Sequence, residues 1–217
     1  MKMLSPPRAN RALTLLEVLL VLLVITVAAA MLLPATTHGH RTPLISCLNN
    51  VKQIDLGFLL YAQGNDGRVP IQTSTTNGGT MEFLERNQTF PHYQKLSQYI
   101  LYTRVFVCPS DLNRQAATDY ANLSDTNLSY FLNADVSTNN PATSIVAGDR
   151  NLQADGQPVR HGTFTLRTNM NLAWTSDLHR TTGVLGFADG HADMCRATSL
   201  NPLLQQQGLA AVRLSVP

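Results

Sequence analysis

One uninterrupted apolar run near the N-terminus constrains this chain more than any other feature. From Leu13 to Leu33 the sequence reads LTLLEVLLVLLVITVAAAMLL, which is 21 residues with Glu17 as the single charge. An α-helix of that length would measure about 31 Å, and a bilayer core is about 30 Å thick. The run therefore predicts a transmembrane helix over residues 13–33.

The charges that flank this run predict its orientation. Lys2, Arg8 and Arg11 precede it, and the next basic residue, Arg41, lies beyond Pro34. Because basic residues favour the cytoplasmic side of a membrane, the N-terminus is expected in the cytoplasm and the rest of the chain outside it. The predicted localisation is the cytoplasmic membrane, crossed once.

Two simpler interpretations of the run remain open. A cleaved secretory signal also begins with basic residues, although its apolar stretch is usually about 7–15 residues long, and the AAA at 28–30 would suit its cleavage site. A plain membrane anchor is the other interpretation. Neither explains Glu17, because an acid inside an apolar span costs on the order of several kcal/mol unless it has a partner. We therefore expect Glu17 to have a specific partner.

The residues around Glu17 resemble the processing site of type IV prepilins and type II secretion pseudopilins. The sequence RALTLLE at 11–17 follows that family's pattern, with Ala12 in place of the usual Gly and Leu13 in place of the usual Phe. The resemblance implies that a prepilin peptidase cuts between Ala12 and Leu13 and methylates the new amino group of Leu13. Residues 1–12 would then be a basic leader peptide, and the head would lie in the periplasm.

The same resemblance implies an assembly role for Glu17. Cleavage before Leu13 creates an α-amino cation, which Glu17 can neutralise in its own chain or in a neighbouring subunit. Inside an apolar bundle such an ion pair fixes register more than it adds net stability. A helix N-terminus also favours a nearby anion through its dipole, which is a local benefit that needs no assembly. Pro34 occupies a position where many pilins have a helix-kinking proline, so we expect a bend there.

Helical periodicity returns after Pro34 and predicts an amphipathic continuation over residues 34–66. Its apolar residues recur every three or four positions: Leu44, Leu48, Val51, Ile54, Phe58 and Ala62. Residues 67–217 form the predicted head, with short strands at 127–132, 144–147, 164–166 and 184–188 and a terminal helix from Asn201. The predicted fold class is α+β: a long N-terminal helix with a transmembrane half, a kink near Pro34 and an amphipathic half, packed on a small antiparallel sheet.

Four motifs extend the resemblance from Arg11 to about Ala192. They are CLNNVKQ at 47–53, CPSD at 108–111, AGDRN at 147–151, and His179 followed after nine residues by Asp189-Gly190-His191. The last spacing, H-x9-DG, is the signature of the C-terminal region of these prepilin-type proteins. The motifs together imply a pilin-like head.

Several side chains of metal-binding types lie at or near this signature: His179, Asp189, His191, Asp193 and Cys195. Asp-Gly is also the commonest hairpin signal, so we expect a tight turn at Asp189-Gly190, with a metal site as the alternative. Some pseudopilins bind calcium through loop carboxylates, which makes Asp149 and Asp189 candidate Ca²⁺ ligands. Their spacing matches no known calcium loop.

The three cysteines, Cys47, Cys108 and Cys195, suggest at most one disulfide. In an oxidising compartment Cys47 can pair with Cys108, which leaves Cys195 over. Three unpaired buried thiols are the alternative, because the sequence alone does not establish connectivity.

The composition and the motifs narrow the function. Sixteen Lys and Arg against fourteen Asp and Glu give a net charge of +2, which provides no basic face for nucleic acid. No GxSxG, HExxH or P-loop motif supports an enzyme; a hydrolase using His179 and Asp189 stays a third option. We expect a non-enzymatic pilin or pseudopilin subunit without a cofactor, whose partners are similar subunits, prepilin peptidase, the assembly machinery and membrane lipid. The alternative is a membrane-anchored extracytoplasmic module that binds a surface ligand or a metal ion.

Overall fold

The apolar run folds as helix α1 (Leu15–Leu32). The computed structural model describes residues 14–32, 43–137, 139–206 and 211–217. The chain divides into two units, residues 1–40 and residues 41–217. The predicted leader, the cleavage pair Ala12 and Leu13, and the predicted kink at Pro34 all lie outside the described residues.

The structure overturns the predicted membrane span. Across the residues that the structure describes, no helix combines the length and the apolar character needed to cross a membrane. The predicted transmembrane helix over 13–33 is therefore wrong. The predicted localisation, a single-pass protein of the cytoplasmic membrane with a periplasmic head, is wrong for the same reason.

The described side chains of α1 are exposed and almost all apolar. The helix begins after Thr14, whose hydroxyl and carbonyl oxygens both accept from the Glu17 amide, at 3.3 and 3.0 Å. This is the arrangement expected of a threonine N-cap. Thr26 donates to the Leu23 carbonyl at 2.9 Å, so its hydroxyl is satisfied within the helix.

The second helix, α2 (Pro43–Gln63), belongs to the other unit and lies against its sheet. Proline at a first helical position loses no hydrogen bond, because that amide has no partner in the helix. The face towards the sheet is buried at positions three or four apart: Cys47, Val51, Ile54, Phe58 and Ala62. The helix ends before the turn of Asn65-Asp66-Gly67, where Asp66 and Gly67 have φ values of 53° and 73°.

The rest of this unit is built from short strands and short helices. The strands are β1 (Tyr130–Asn133), β2 (Ile145–Asp149), β3 (Leu152–Ala154), β4 (Gln157–Pro158), β5 (Gly162–Arg167), β6 (Leu172–Trp174), β7 (Thr182–Phe187), β8 (Ala192–Arg196) and β9 (Ala211–Val216). The remaining α-helices are α3 (Glu82–Glu85), α4 (Phe90–Gln94) and α5 (Ala197–Gln206).

The strands form two antiparallel sheets. The larger has the order β5-β9-β1-β2-β7-β8, and the smaller has the order β4-β3-β6. β2 is buried at every position and lies between β1 and β7, so it runs through the middle of the unit. The architecture is α+β, with a larger sheet than the sequence predicts.

Apolar side chains fill both faces of the large sheet. One cluster joins α2 to the sheet and includes Phe58, Tyr93, Phe106 and Tyr130. The second cluster lies around Phe131, Trp174 and Leu185 and includes Leu200 of α5. Because α2 covers one face, residues on its buried side lie close to the ends of β2 and β7, and this placement positions the site described next.

Candidate metal centre

Four side chains of metal-binding types converge inside the second unit: Cys47, Cys108, Asp149 and His179. Each offers one ligand atom, and these four atoms all lie within 4.8 Å of one another. The two cysteines and Asp149 are buried, and the His179 side chain is 5% exposed. Such a group of two thiols, a carboxyl and an imidazole is almost closed to solvent.

Each of the four comes from a different part of the fold. Cys47 lies in the second turn of α2, and Cys108 follows a 3-10 helix over residues 103–106. Asp149 is the last residue of β2, and His179 lies in the turn segment before β7. Cys47 and Asp149 are 102 positions apart in the chain, so packing of α2 on the sheet is what brings them together.

Three contacts define the internal geometry of the group. The Cys47 thiol donates to Asp149 Oδ1 at 3.0 Å, and Cys108 Sγ lies 3.1 Å from His179 Nε2. His179 Nε2 lies 3.8 Å from Asp149 Oδ2. Asp149 Oδ2 also accepts from the Val184 amide at 2.8 Å, which holds the carboxylate between β2 and β7.

The pKa values of Asp149 and Cys108 are shifted in opposite directions from their usual values. Burial raises the pKa of Asp149 to about 7, and the negative charge of Cys108 adds to the rise. Hydrogen bonding to Cys47 lowers the pKa of Cys108 to about 5, in spite of its burial, and His179 lowers it further. Cys108 is therefore the thiol of the group that ionises most readily.

The other two groups complete the electrostatic picture. Burial raises the pKa of the Cys47 thiol far above its usual range. Burial lowers the pKa of His179, but the contact with Cys108 and the charge of Asp149 outweigh it and raise the pKa overall. The group thus holds more negative charge than one imidazolium can balance once both Cys108 and Asp149 ionise.

A hydrogen-bond network beside the group of four fixes the chain segments that carry Cys108 and Asp149. Arg150 donates to Asp111 through Nε at 2.7 Å and Nη2 at 2.8 Å, and Ser129 donates to the same carboxylate at 2.9 Å. This pairing ties the CPSD turn to the end of β2. The Ser110 amide also donates to Cys108 Sγ at 3.4 Å. Contacts of this kind orient the groups that bind a metal.

The structure brings Cys47 and Cys108 together, and it has both as free thiols. The predicted disulfide is therefore not formed in it. Cys195 is also a free, buried cysteine, and its thiol donates to the Arg196 carbonyl at 3.4 Å. It does not belong to the group of four.

The predicted calcium ligands lie in different surroundings. Asp149 belongs to the buried group, whereas Asp189 lies in the turn between β7 and β8 and accepts from both the amide and the ring of His191. Gly190 has a φ of 85° there, the left-handed conformation that the predicted turn requires. The His191 ring stacks on Phe187 with 4.4 Å between centroids. Asp189, Gly190 and His191 thus form the hairpin, and only His179 of the H-x9-DG signature reaches the group of four.

Sequence reasoning identified each of the four residues but did not group them. It paired Cys47 with Cys108 as a disulfide, Asp149 with Asp189 as calcium ligands, and His179 with its neighbours in the chain. One signal was present, because each of the four motifs noted above contributes one member: CLNNVKQ, CPSD, AGDRN and H-x9-DG.

Comparisons of the chain with models of protein families, with curated proteins and with solved structures found no match. What the group of four can do is therefore inferred from its geometry and its chemistry.

Proposed function

We propose that this chain is a non-catalytic, pilin-like structural subunit that assembles through α1 with copies or relatives of itself. The observation that supports this proposal is the surface of α1, where apolar side chains face solvent on every side. Leu15 is 83% exposed, Leu19 is 63% exposed and Leu23 is 60% exposed. Exposed apolar surfaces of this extent mark interaction sites.

The energetics favour a partner for this helix. In proteins most of the stability of a helix comes from packing of its apolar side chains rather than from helix propensity, and full burial of one leucine side chain contributes about 1.5–3 kcal/mol. A helix that is apolar all round loses most of its exposed surface only when other apolar surfaces surround it. A bundle of α1 helices from several copies provides that environment.

Glu17 supplies the specificity that an all-apolar surface lacks. It lies in the first turn of α1, close to the N-terminus that cleavage between Ala12 and Leu13 would create. A carboxylate on one subunit paired with the new, methylated α-amino group of Leu13 on its neighbour sets the stagger between the two helices. The proposed partners are therefore other pilin-like subunits, the prepilin peptidase that makes the cut, and the assembly machinery of a pilus or a type II secretion pseudopilus.

Mass spectrometry of the N-terminus of the chain, isolated from its native host, tests the processing step. We expect a chain that begins with N-methylated Leu13. A chain that keeps residues 1–12, or one that begins near Met31 as an ordinary secretory signal would leave it, contradicts the proposal.

Substitutions in α1 test the assembly step in the full chain. We expect Leu23→Asp and Glu17→Ala to reduce the fraction of protein recovered in sedimentable filaments by at least about tenfold, because each disturbs the proposed helix bundle by at least about 1.4 kcal/mol. The matched control is Leu101→Asp, since Leu101 is an apolar residue of the head that is 76% exposed. Filament yields that are equal for Leu23→Asp and Leu101→Asp would exclude α1 as the assembly surface.

A further inference from the structure

We propose that Cys47, Cys108, Asp149 and His179 bind one Zn²⁺ ion through the two Sγ atoms, a carboxylate oxygen and Nε2. This inference does not depend on assembly through α1. It rests on the distances within the group, on the types of its ligand atoms and on its burial.

The spacing of the four atoms suits a tetrahedral zinc site. Zinc binds thiolate sulfur at about 2.3 Å and imidazole nitrogen or carboxylate oxygen at about 2.0–2.2 Å, so ligand atoms at the corners of the tetrahedron lie about 3.3–3.8 Å apart. Cys47 Sγ lies 3.0 Å from Asp149 Oδ1, Cys108 Sγ lies 3.1 Å from His179 Nε2, and His179 Nε2 lies 3.8 Å from the other carboxylate oxygen, Asp149 Oδ2. No pair of the four atoms exceeds 4.8 Å. Shifts of about 1 Å or less would bring all four into zinc geometry.

The ligand types select the metal. Ca²⁺ and Mg²⁺ prefer six or more oxygen ligands, and this group offers a single carboxylate. Two thiolates with an imidazole suit a softer divalent ion, and zinc is the one that takes such sets in tetrahedral geometry. Of the two candidate calcium ligands, Asp149 thus belongs to a proposed site of different chemistry, and Asp189 does not.

Burial explains what the cation would do for the fold. A carboxylate and a thiolate that share a buried volume repel each other, and burial of unpaired charge is costly. A divalent cation between them balances both charges and lets Cys47 bind as a thiolate as well. Cys47 is hydrogen-bonded to Asp149, and Cys108 to His179. Metal ligands make such contacts with one another when they bind protons instead of the metal.

Four protein ligands also define the role of the ion. A zinc ion with four side chains has no open position for water or substrate, which is the pattern of structural rather than catalytic sites. The ion would join α2, the CPSD turn, the end of β2 and the segment before β7. Metal binding and folding of this unit would then be coupled.

Metal analysis of the purified full chain gives the first test. We expect about one zinc per chain after purification without chelators, and Co²⁺ exchanged into the protein should show the thiolate-to-cobalt charge-transfer band and the intense visible bands of a tetrahedral site. A chain that binds neither ion when titrated into the micromolar range overturns the proposal.

Matched cysteine variants give the second test. We expect Cys108→Ser and Cys47→Ser to weaken zinc binding by more than the about 10–100-fold that loss of an outer-shell partner costs. Cys195→Ser is the control, because it removes a thiol that is buried but outside the group. Zinc loss as large in Cys195→Ser as in Cys108→Ser contradicts the assignment.

The wild-type chain provides a test that does not depend on variants folding. We expect the thermal midpoint of the metal-free chain to rise when zinc is added and to fall again when a chelator is added. Zinc should also protect Cys47 and Cys108 from alkylation and leave the alkylation of Cys195 unchanged. A Cys47–Cys108 disulfide found by non-reducing peptide mapping of the chain from its native host would exclude the zinc site.

Discussion

The side chain of Asp55 in α2 packs directly against Gly186 of β7. A Cβ atom placed on Gly186 would lie 1.6 Å from Asp55 Oδ2, which is far inside van der Waals contact. Asp55 is fully buried, so its side chain has no room to move aside. The close approach of α2 to the large sheet therefore requires a residue without a side chain at position 186.

We expect Gly186→Ala to destabilise the head by about 1–3 kcal/mol or more, because it overpacks this contact. Asp55→Ala removes the obstructing carboxyl, so Gly186→Ala should cost less in that background. Gly64→Ala is the control, since its new Cβ would have no neighbour closer than 3.7 Å. Urea unfolding of the wild type, the two single variants and the double variant measures the coupling between positions 55 and 186. An equal cost of Gly186→Ala in both backgrounds would show that Asp55 is not the obstacle.

Asp55 also makes the stability of the head depend on pH. Burial raises the pKa of Asp55 well above its usual value of 3.8, the charge of Asp189 adds to the rise, and the Phe187 amide opposes it. Among the residues that the structure describes, neither carboxylate oxygen has a hydrogen-bond partner of good geometry. The nearby Tyr93 hydroxyl is itself buried, and its pKa is raised. The folded chain therefore favours the protonated acid.

The sign of this effect follows from the two states. The stabilising contribution of protonated Asp55 is fully present below the unfolded pKa of 3.8 and is lost as the pH rises through the higher folded pKa. We expect Asp55→Asn to lack this loss, so the variant should gain stability relative to the wild type as the pH rises from about 4 to about 8. Urea unfolding across that range measures the difference, and a difference that does not change with pH would contradict the raised pKa.

His92 of α4 gives the opposite pH dependence. Burial lowers its pKa from 6.5 to about 3. Its Nδ1 atom lies 2.6 Å from the Thr80 hydroxyl, and Nε2 has no partner in the described part of the chain. The stability that neutral His92 contributes is fully present above the unfolded pKa and is lost as the pH falls towards the folded one.

We therefore expect His92→Gln to weaken the acid sensitivity of the head, by on the order of a few kcal/mol between about pH 7 and about pH 3. Acid unfolding followed by circular dichroism should show a lower midpoint pH for the variant than for the wild type. The exposed His161 supplies the control, because its ring is 53% exposed. If His161→Gln shifts the midpoint as far as His92→Gln does, burial is not the cause.

At the scale of elements, the sequence predicted those structures whose pattern is local. The stripe on α2 follows the helical period, so Val51, Ile54, Phe58 and Ala62 could be assigned to the core before the structure was known. The hairpin of β7 and β8 followed from one dipeptide, Asp189-Gly190. Both features depend on residues that are close together in the chain.

β9 was not predicted, although its pattern is visible in hindsight. Val212, Leu214 and Val216 alternate with less apolar residues and are buried, but six residues of alternation are a weak signal beside the helix-like LLQQQ that precedes them. Its place in the sheet, between β5 and β1, depends on partners more than 40 residues away along the chain, such as Leu166 opposite Val212. Local pattern carries no information about such pairings.

This position predicts a large effect of truncation. We expect a chain that ends before Ala211 to lose cooperative unfolding, because the six-stranded sheet would be interrupted between β5 and β1. Arg213→Ala is the control on the same strand; it removes only the partly exposed pair with Asp135 and should cost about 0.2–1 kcal/mol. Near-ultraviolet circular dichroism and urea unfolding distinguish the two outcomes, and a truncated chain that still unfolds cooperatively would show that β9 is dispensable.

At the scale of the whole molecule, two sequence predictions met different outcomes. The span over 13–33 was wrong, since no helix among the described residues combines the length and the apolar character needed to cross a membrane. The four ligands of the proposed zinc site were all named from the sequence. Their convergence could not be predicted, because it requires the packing of α2 across the ends of β2 and β7.

The H-x9-DG signature acquires a physical meaning from β7. The nine residues between His179 and Asp189 contain the whole of that strand, with His179 before it and the Asp189-Gly190 turn after it. Six residues of strand span about 20 Å, and loss of one of them would exchange the two faces of the strand. The nine-residue spacing thus sets the distance between the buried imidazole of His179 and the turn at Asp189-Gly190. A chain with a shorter spacing could not keep both features in these positions.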